Sequence, residues 1–272
     1  MSQPFSFDEF YDAYPRIEEQ FQTELDASLS PRGPDFLFQL VSDLSIKPGT
    51  AALDVGCGEG GDALRLADQF DLQVEGIDPV ERHIEIADEV LEAERSRLRG
   101  RVSFKLGRAE ALPVDDKTID LIWCRDVLSH VMDVGTACAE FRRVLRMDGH
   151  AIVYQMFETE RLEPLEAEWL WKTMGVVPTS ADPIKVEQAF ADGGLRVEKR
   201  IVIGTEFGEW GEESSGRANR QLLHAARLLR SPERYITRFG KTAYEIMLGD
   251  CLWHVYGMIG KLSRRAYVLT PA

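Results

Sequence analysis

Cysteine is scarce in this 272-residue chain, and none of it is paired in sequence. Cys57, Cys124, Cys138 and Cys251 stand apart with no Cys-x-x-Cys spacing. Neither a zinc knuckle nor a disulfide framework is therefore encoded, no metal site is expected, and a reducing compartment fits. Basic residues are the next shortage. Lys and Arg number 32 against 46 Asp and Glu, a net charge of −14. Such a surface repels phosphate backbones and anionic membranes, so neither nucleic acid nor a membrane is expected as a partner. No apolar run reaches the length of a bilayer span. The stretch from Met1 to Glu9 has neither the basic start nor the apolar run of an export signal, and a cytoplasmic location is expected. Serine-hydrolase and P-loop signatures are missing as well.

What is present begins with glycine. Leu53-Asp54-Val55-Gly56-Cys57-Gly58-Glu59-Gly60-Gly61 sets four glycines and an acid directly after an apolar run. Glycine permits positive φ and a close approach of a ligand to the backbone. Thr50 to Leu53 reads as a buried strand and Asp62 to Ala67 as a helix opening, the arrangement of a nucleotide-type site at a helix N-terminus. Gly56, Gly58 and Gly61 satisfy a dinucleotide pattern, whereas Gly56, Gly58 and Gly60 satisfy the tighter one of methyl-donor sites. Gln73 to Ile77 reads as the next strand. It ends at Asp78, about twenty residues past the glycines, where an acid can accept hydrogen bonds from both hydroxyls of a ribose. These residues point to an adenosine-type ligand and leave NAD and S-adenosylmethionine both open.

The rest of the chain alternates. Two or three helical patterns fill residues 6 to 44, with Phe7, Phe10, Tyr11 and Tyr14 on one face of the first. Strands are expected near 51–55, 73–78, 102–106, 119–124, 151–156, 195–204 and 265–269. Helices are expected near 61–69, 80–98, 136–146, 163–174 and 184–191, with Met147-Asp148-Gly149 as a turn. This is an α/β pattern, a doubly wound and mostly parallel seven-stranded sheet that binds ligands at the carboxyl ends of its strands. The last two strands are separated by about sixty residues of helical character, far beyond the two to five of a hairpin loop. Three regions are therefore expected: a helical lid over 1–45, a core over 46–204 with 263–272, and a helical cap over 205–262.

In this order the pieces resemble the class I S-adenosylmethionine-dependent methyltransferases, whose fold is Rossmann-like. The similarity is strongest to the small-molecule branch that includes the ubiquinone/menaquinone and phosphoethanolamine methyltransferases. It covers about residues 46 to 157 and rests on the glycine stretch, Gly76-Ile77-Asp78-Pro79, Gly107-Arg108-Ala109-Glu110-Ala111-Leu112-Pro113, and Val144-Leu145-Arg146-Met147-Asp148-Gly149-His150. The resemblance implies S-adenosylmethionine as cofactor. Asp54 with the backbone of Gly56, Cys57 and Gly58 would face its methionine part. Asp78 would hold the ribose, Pro79 and His83 would lie beside the adenosine, and Ala109 and Glu110 would meet the adenine edge. Arg108 stands where many relatives have an acid and would stack on the ring or point to solvent.

Cys124-Arg125-Asp126-Val127-Leu128-Ser129-His130 follows the fourth strand, and Cys124 and Arg125 fall on the cofactor side. By similarity to the Arg-Asp-x-x-x-His segment of the phosphoethanolamine enzymes, His130 would position and deprotonate the acceptor, with Tyr14 or Tyr11 as partner and Asp126 beside it. The Asp-Asn pair of metal-assisted catechol methylation is absent, as is the Pro-Pro-aromatic segment of DNA amino-methylation. For the acceptor, Glu206 and Trp210 in a charged segment suit a cationic group, while Trp169 with Trp171, Trp253 and Tyr256 suits an apolar ring. The expected function is methyl transfer to a small-molecule acceptor, oxygen being favoured over nitrogen or carbon. The alternatives are a non-catalytic S-adenosylmethionine-binding protein and an NAD-dependent oxidoreductase. Both monomer and homodimer stay open.

Overall fold

The computed structural model describes residues 6–93, 98 and 100–272. Its strands are β1 (Ala51–Val55), β2 (Gln73–Asp78), β3 (Val102–Leu106), β4 (Ile119–Arg125), β5 (Leu145–Glu158), β6 (Leu195–Gly204) and β7 (Leu262–Pro271). They form one sheet in the order β3-β2-β1-β4-β5-β7-β6, parallel throughout except for β7, which runs antiparallel to both neighbours. The fold is α/β and doubly wound, with the strand order reversing beside β1.

Period-two alternation divides the sheet between two cores. Leu53, Val55, Ile122, Cys124, Val153 and Tyr267 enter one, under Phe141 and Phe190. Ala52, Leu121, Trp123, Ile152, Ala266 and Val268 enter the other, under Leu37, Phe38 and Leu66. Burial on both faces is what the near-continuous apolar runs of a parallel sheet require. Each fully buried large side chain contributes roughly 1.5–3 kcal/mol, against about 0–1 for a surface ion pair, so these two layers hold the fold.

The helices are α1 (Phe7–Leu25), α2 (Asp35–Asp43), α3 (Gly61–Phe70), α4 (Glu81–Ala93), α5 (Val134–Val144), α6 (Pro164–Met174) and α7 (Pro183–Asp192). Between β6 and β7 lie α8 (Glu206–Ser215), α9 (Arg217–Arg230), α10 (Pro232–Phe239) and α11 (Lys241–Met258). Local signals set several starts: Ser6 and Glu9 form a capping box, Asp133 accepts from Thr136 N, and Asp182 caps α7 with Pro183 at its first position.

One expectation changes. Met147-Asp148-Gly149 is not a free turn: β5 already begins at Leu145. Leu145 pairs with Ile119 and His150 with Leu121, so the extra residues form a bulge within the strand. The segment after Gly204 is the helix α8, and Gly208 lets it pack closely on Met258, since a Cβ there would meet the sulfur at 2.2 Å. The expected helix over 80–98 is seen as α4, and residues 94–97 lie outside the described residues. In the N-terminal region α2 is a core helix through Leu37, Phe38, Leu40 and Val41, whereas α1 buries no residue. Among the described residues no helix is long and apolar enough to cross a membrane, and no group of His, Cys, Asp and Glu could hold a metal.

Candidate active site

The glycine stretch is the turn between β1 and α3. It is braced against the end of β2: the amides of Gly56 and Cys57 both donate to the Ile77 carbonyl, at 2.7 and 3.0 Å. Gly56, Gly58 and Gly60 have φ of 74°, 51° and 83°. At Gly56 the requirement is absolute, since a Cβ would lie 2.2 Å from Val127 Cγ2, directly after Asp126. Asp78 Oδ2 accepts from Gly58 N at 3.0 Å, and Oδ1 accepts from Val80 N at 2.9 Å and faces His83 Nδ1 at 3.1 Å. Asp78, Gly58 and His83 are thus one hydrogen-bonded unit.

Asp54 is 2% exposed, and its Oδ2 has no hydrogen-bond partner. Burial, and next the charge of Asp62, push its carboxyl well above the ordinary range. A buried acid with an unused oxygen, at the carboxyl end of a strand beside a turn that tolerates no side chain at Gly56, fits an aminoacyl or nucleoside ligand. Burial also raises the Cys57 and Cys124 thiols, which makes both inert as nucleophiles. Ala109 is buried in the core beside Val55 and Ile77. Arg108 is open to solvent, with Glu110 at 3.8 Å.

At the end of β4, Arg125 Nη1 lies 3.2 Å from Asp62 Oδ2, and Trp123 Nε1 donates to the same oxygen at 3.0 Å. Asp62 therefore locks α3 to β4. Asp126 follows with φ 57°, a left-handed conformation uncommon outside glycine and frequent at functional sites. It lines a cavity of about 630 Å³. Asp126 is exposed on the cavity side, and the protein packed behind its carboxyl desolvates it in part, which raises its pKa to about 6 against the lowering fields of Arg125, Arg264 and His130.

The cavity is walled by β5 and the cap. Tyr154 stacks on Phe207 at 5.6 Å, and Trp210, Trp253 and Met258 complete the apolar side. Trp210 rests on Gly33, where a Cβ would come within 2.6 Å of the indole. A smaller apolar chamber of about 430 Å³, by Leu228, Tyr235, Phe239 and Met247, shares His224 with it. A further hollow at the opposite strand ends, by Ala51 and Gln73, is lined by none of the candidate residues.

The structure brings Arg125, Asp126, Trp210 and Trp253 to one cavity and leaves other acceptor-side candidates elsewhere. His130 is exposed, with Nδ1 3.0 Å from the Gly175 carbonyl, and it does not line the cavity. Tyr11 and Tyr14 make ring contacts with Phe7 and Phe10 along α1; among the described residues no hydrogen bond or ring contact joins them to His130. Glu206 is taken up by Arg32 through its side chain and its amide, so it is not free to hold a cationic acceptor. Trp169 packs into the apolar clusters of Leu170 and of Leu228, away from the cavity wall.

Sequence reasoning missed Asp62, Tyr154, Phe207 and Arg264. One signal was available for Arg264: Leu262, Arg264 and Ala266 share a strand face on which both neighbours are fully buried. A charge at a buried period-two position is a functional hint.

Residues 53–153 match the family described as a methyltransferase domain. The chain carries a class I S-adenosylmethionine-dependent methyltransferase domain. The cofactor of this domain is S-adenosylmethionine. It is similar to 27-O-demethylrifamycin SV methyltransferase of Amycolatopsis mediterranei, at 33% identity over 41% of this chain and 40% of that protein. The chain spans less than half the length of the first three curated relatives that it matches. The methyltransferase fold is shared with the Haemonchus contortus phosphoethanolamine N-methyltransferase 2, solved with phosphomonomethylethanolamine and S-adenosylhomocysteine. The TM-score is 0.67 at 18% identity, covering 100% of this chain and 61% of that one. It is shared also with the 4+2 cyclase SpnF, at TM-score 0.68 and 19% identity over 97% and 96% of the two chains.

Proposed function

We propose that the protein transfers the methyl group of S-adenosylmethionine to a small-molecule acceptor seated in the cavity between β4, β5 and the cap. Oxygen is the target atom and Asp126 the base. When bound, S-adenosylmethionine supplies a methyl on sulfonium for in-line displacement, which needs proximity above all. On the cofactor side Asp54 would offer its spare oxygen to the methionine ammonium, and Asp78, held by Gly58 and Val80, its remaining acceptor capacity to the ribose. Cys57, Pro79, His83, Ala109 and Glu110 would line the nucleoside, with Arg108 at its outer edge. The turn glycines would contribute close approach rather than donors, since the Gly56 and Cys57 amides are already used.

The observation that carries the reading is Asp126: it opens into the cavity next to the glycine turn, with a carboxyl pKa near 6, close to the operating range of a general base. In this reading His130 acts on Asp126 through its field and makes no contact with the acceptor. The decisive measurement is formation of S-adenosylhomocysteine against a panel of hydroxylated acceptors, wild type beside Asp126→Asn. Turnover that survives unaltered in Asp126→Asn removes the base. A second reading, binding of the cofactor without methyl transfer, is favoured by the fold shared with a cyclase. Acceptor conversion without S-adenosylhomocysteine would establish it.

A further inference from the structure

The cavity at the end of β4 is cationic, in a chain whose net charge is −14. Arg125, Arg217, Arg220 and Arg264 line it with His224 and His254, against one carboxylate, Asp126. Acids are not lacking nearby. Helix α8 carries Glu206, Glu209, Glu212 and Glu213, but their carboxylates accept hydrogen bonds from Arg32, Thr205, Asn219 and Ser28 in turn. Arg125 is paired with Asp62. Among the described residues, no carboxylate forms an ion pair with Arg217, Arg220 or Arg264.

Arg264 is built into its place. It is 7% exposed, stands opposite Met156 in the β5–β7 ladder, and occupies room that Gly257 leaves open, since a Cβ there would lie 2.9 Å from both Nη atoms. It donates to the Gly204 carbonyl at 3.5 Å and to the Tyr154 hydroxyl, which leaves most of the five guanidinium donors unused. Asp126 faces it from beyond ion-pair reach. A buried cation without a paired anion is unfavourable by itself.

Arg217 and Arg220 sit in the first turn of α9, where the helix dipole disfavours cations. That turn holds no acid of its own and Gly216 gives it no side-chain cap; Glu212 of α8 accepts from the Asn219 amide there but forms no ion pair with either arginine. Both arrangements become favourable once an oxyanion enters the cavity. A guanidinium fork matches a carboxylate or a phosphate bidentately, and Tyr154, Phe207, Trp210 and Trp253 supply flat apolar walls.

We propose that the cavity takes an acceptor carrying an oxyanion, a carboxylate or phosphate, on a flat apolar body, with Arg264 as the buried anchor and Arg217 and Arg220 at the rim. That the bound anion is methylated rests on the proposed function; that it is an anion rests on the arginines. This reverses the cationic acceptor suggested by Glu206 and Trp210 in the sequence.

The test is calorimetry on the full chain saturated with S-adenosylhomocysteine, using 4-hydroxybenzoate, 4-hydroxyphenyl phosphate, the neutral methyl 4-hydroxybenzoate and the cationic tyramine. At least one of the anions should bind about tenfold or more tighter than the ester, and tyramine weakest. Which anion wins tells carboxylate from phosphate. Arg264→Gln and the exposed Arg220→Gln should each weaken the anions and spare the ester, with thermal melting to confirm that both variants fold. Equal affinity for ester, amine and anions overturns the proposal, as does absence of anion binding or anion affinity unaltered in both variants. Anions that bind but yield no S-adenosylhomocysteine when S-adenosylmethionine is supplied refute methyl transfer and leave the anion site standing. An ester that is methylated while the anions do not bind does the reverse.

Discussion

The turn after β1 and the cavity under the cap face each other across Asp126, and they are built by opposite means. The turn is local: Gly56, Cys57, Gly58 and Asp78 lie within a short stretch of chain, and main-chain hydrogen bonds with one carboxylate fix it. The cavity is assembled from Asp126, Tyr154, Phe207, Trp210, Arg220 and Arg264, drawn from four separate elements and the loop after β4. The first is mostly backbone and admits no side chain at Gly56 or Gly60. The second offers side chains, and its composition sets the charge of whatever it accepts. A donor site made of backbone constrains sequence tightly, while an acceptor site made of side chains leaves the scaffold free to change them.

Substitutions on the two sides should break this contrast in graded ways. Gly56→Val is expected to have the largest effect: positive φ and the collision with Val127 should lower stability by about 3 kcal/mol or more and abolish S-adenosylhomocysteine binding in a calorimetric titration. Wild-type melting and affinity would contradict the tight approach. Asp126→Asn acts on the other side and should cut turnover by about 10² with cofactor affinity unchanged. In the parent protein the rate should rise with pH through about 6, because the base form is populated above that raised pKa; in the Asn variant this limb should vanish. The same shift fixes a stability sign. The folded carboxyl holds its proton above the ordinary 3.8, so folding stability falls as pH rises from there to about 6.

Asp78→Ala should weaken cofactor affinity by about thirtyfold, the loss of charged hydrogen bonds, and affect turnover at saturation far less. Unaltered affinity would remove it from the ribose. His130→Ala should change turnover by less than about tenfold, since its ring is held at the Gly175 carbonyl; a hundredfold loss would return the base to His130. Glu206→Gln is the smallest perturbation. It loosens a partly exposed pair with Arg32, expected to be worth about 1 kcal/mol or less, and leaves acceptor KM unchanged; a raised KM would place Glu206 at the acceptor.

The strands, the glycine turn and Asp78 were legible because they depend on short-range signals: period-two alternation, positive φ that glycine alone adopts easily, and an acid at a strand end. The bulge in β5 was not, because Met147-Asp148-Gly149 has the composition of a turn and only pairing with β4 draws it into the sheet. What the sequence did not show after Gly204 was the packing of the helix, since only Met258 pressing on Gly208 explains that helix-poor glycine.

The sequence by itself determined the α/β order, the donor-side turn and the family, since each is written in neighbouring residues. Only the tertiary structure decided which side chains meet: that Glu206 is spent on Arg32, that Tyr11 and Tyr14 stay apart from His130, and that Arg264 is buried in the cavity facing Asp126. The physical reason is separation along the chain. Arg32 and Glu206 are 174 residues apart, and no local pattern encodes which charge finds which. That choice is made when burial removes water and leaves each charged group with the partners that packing supplies.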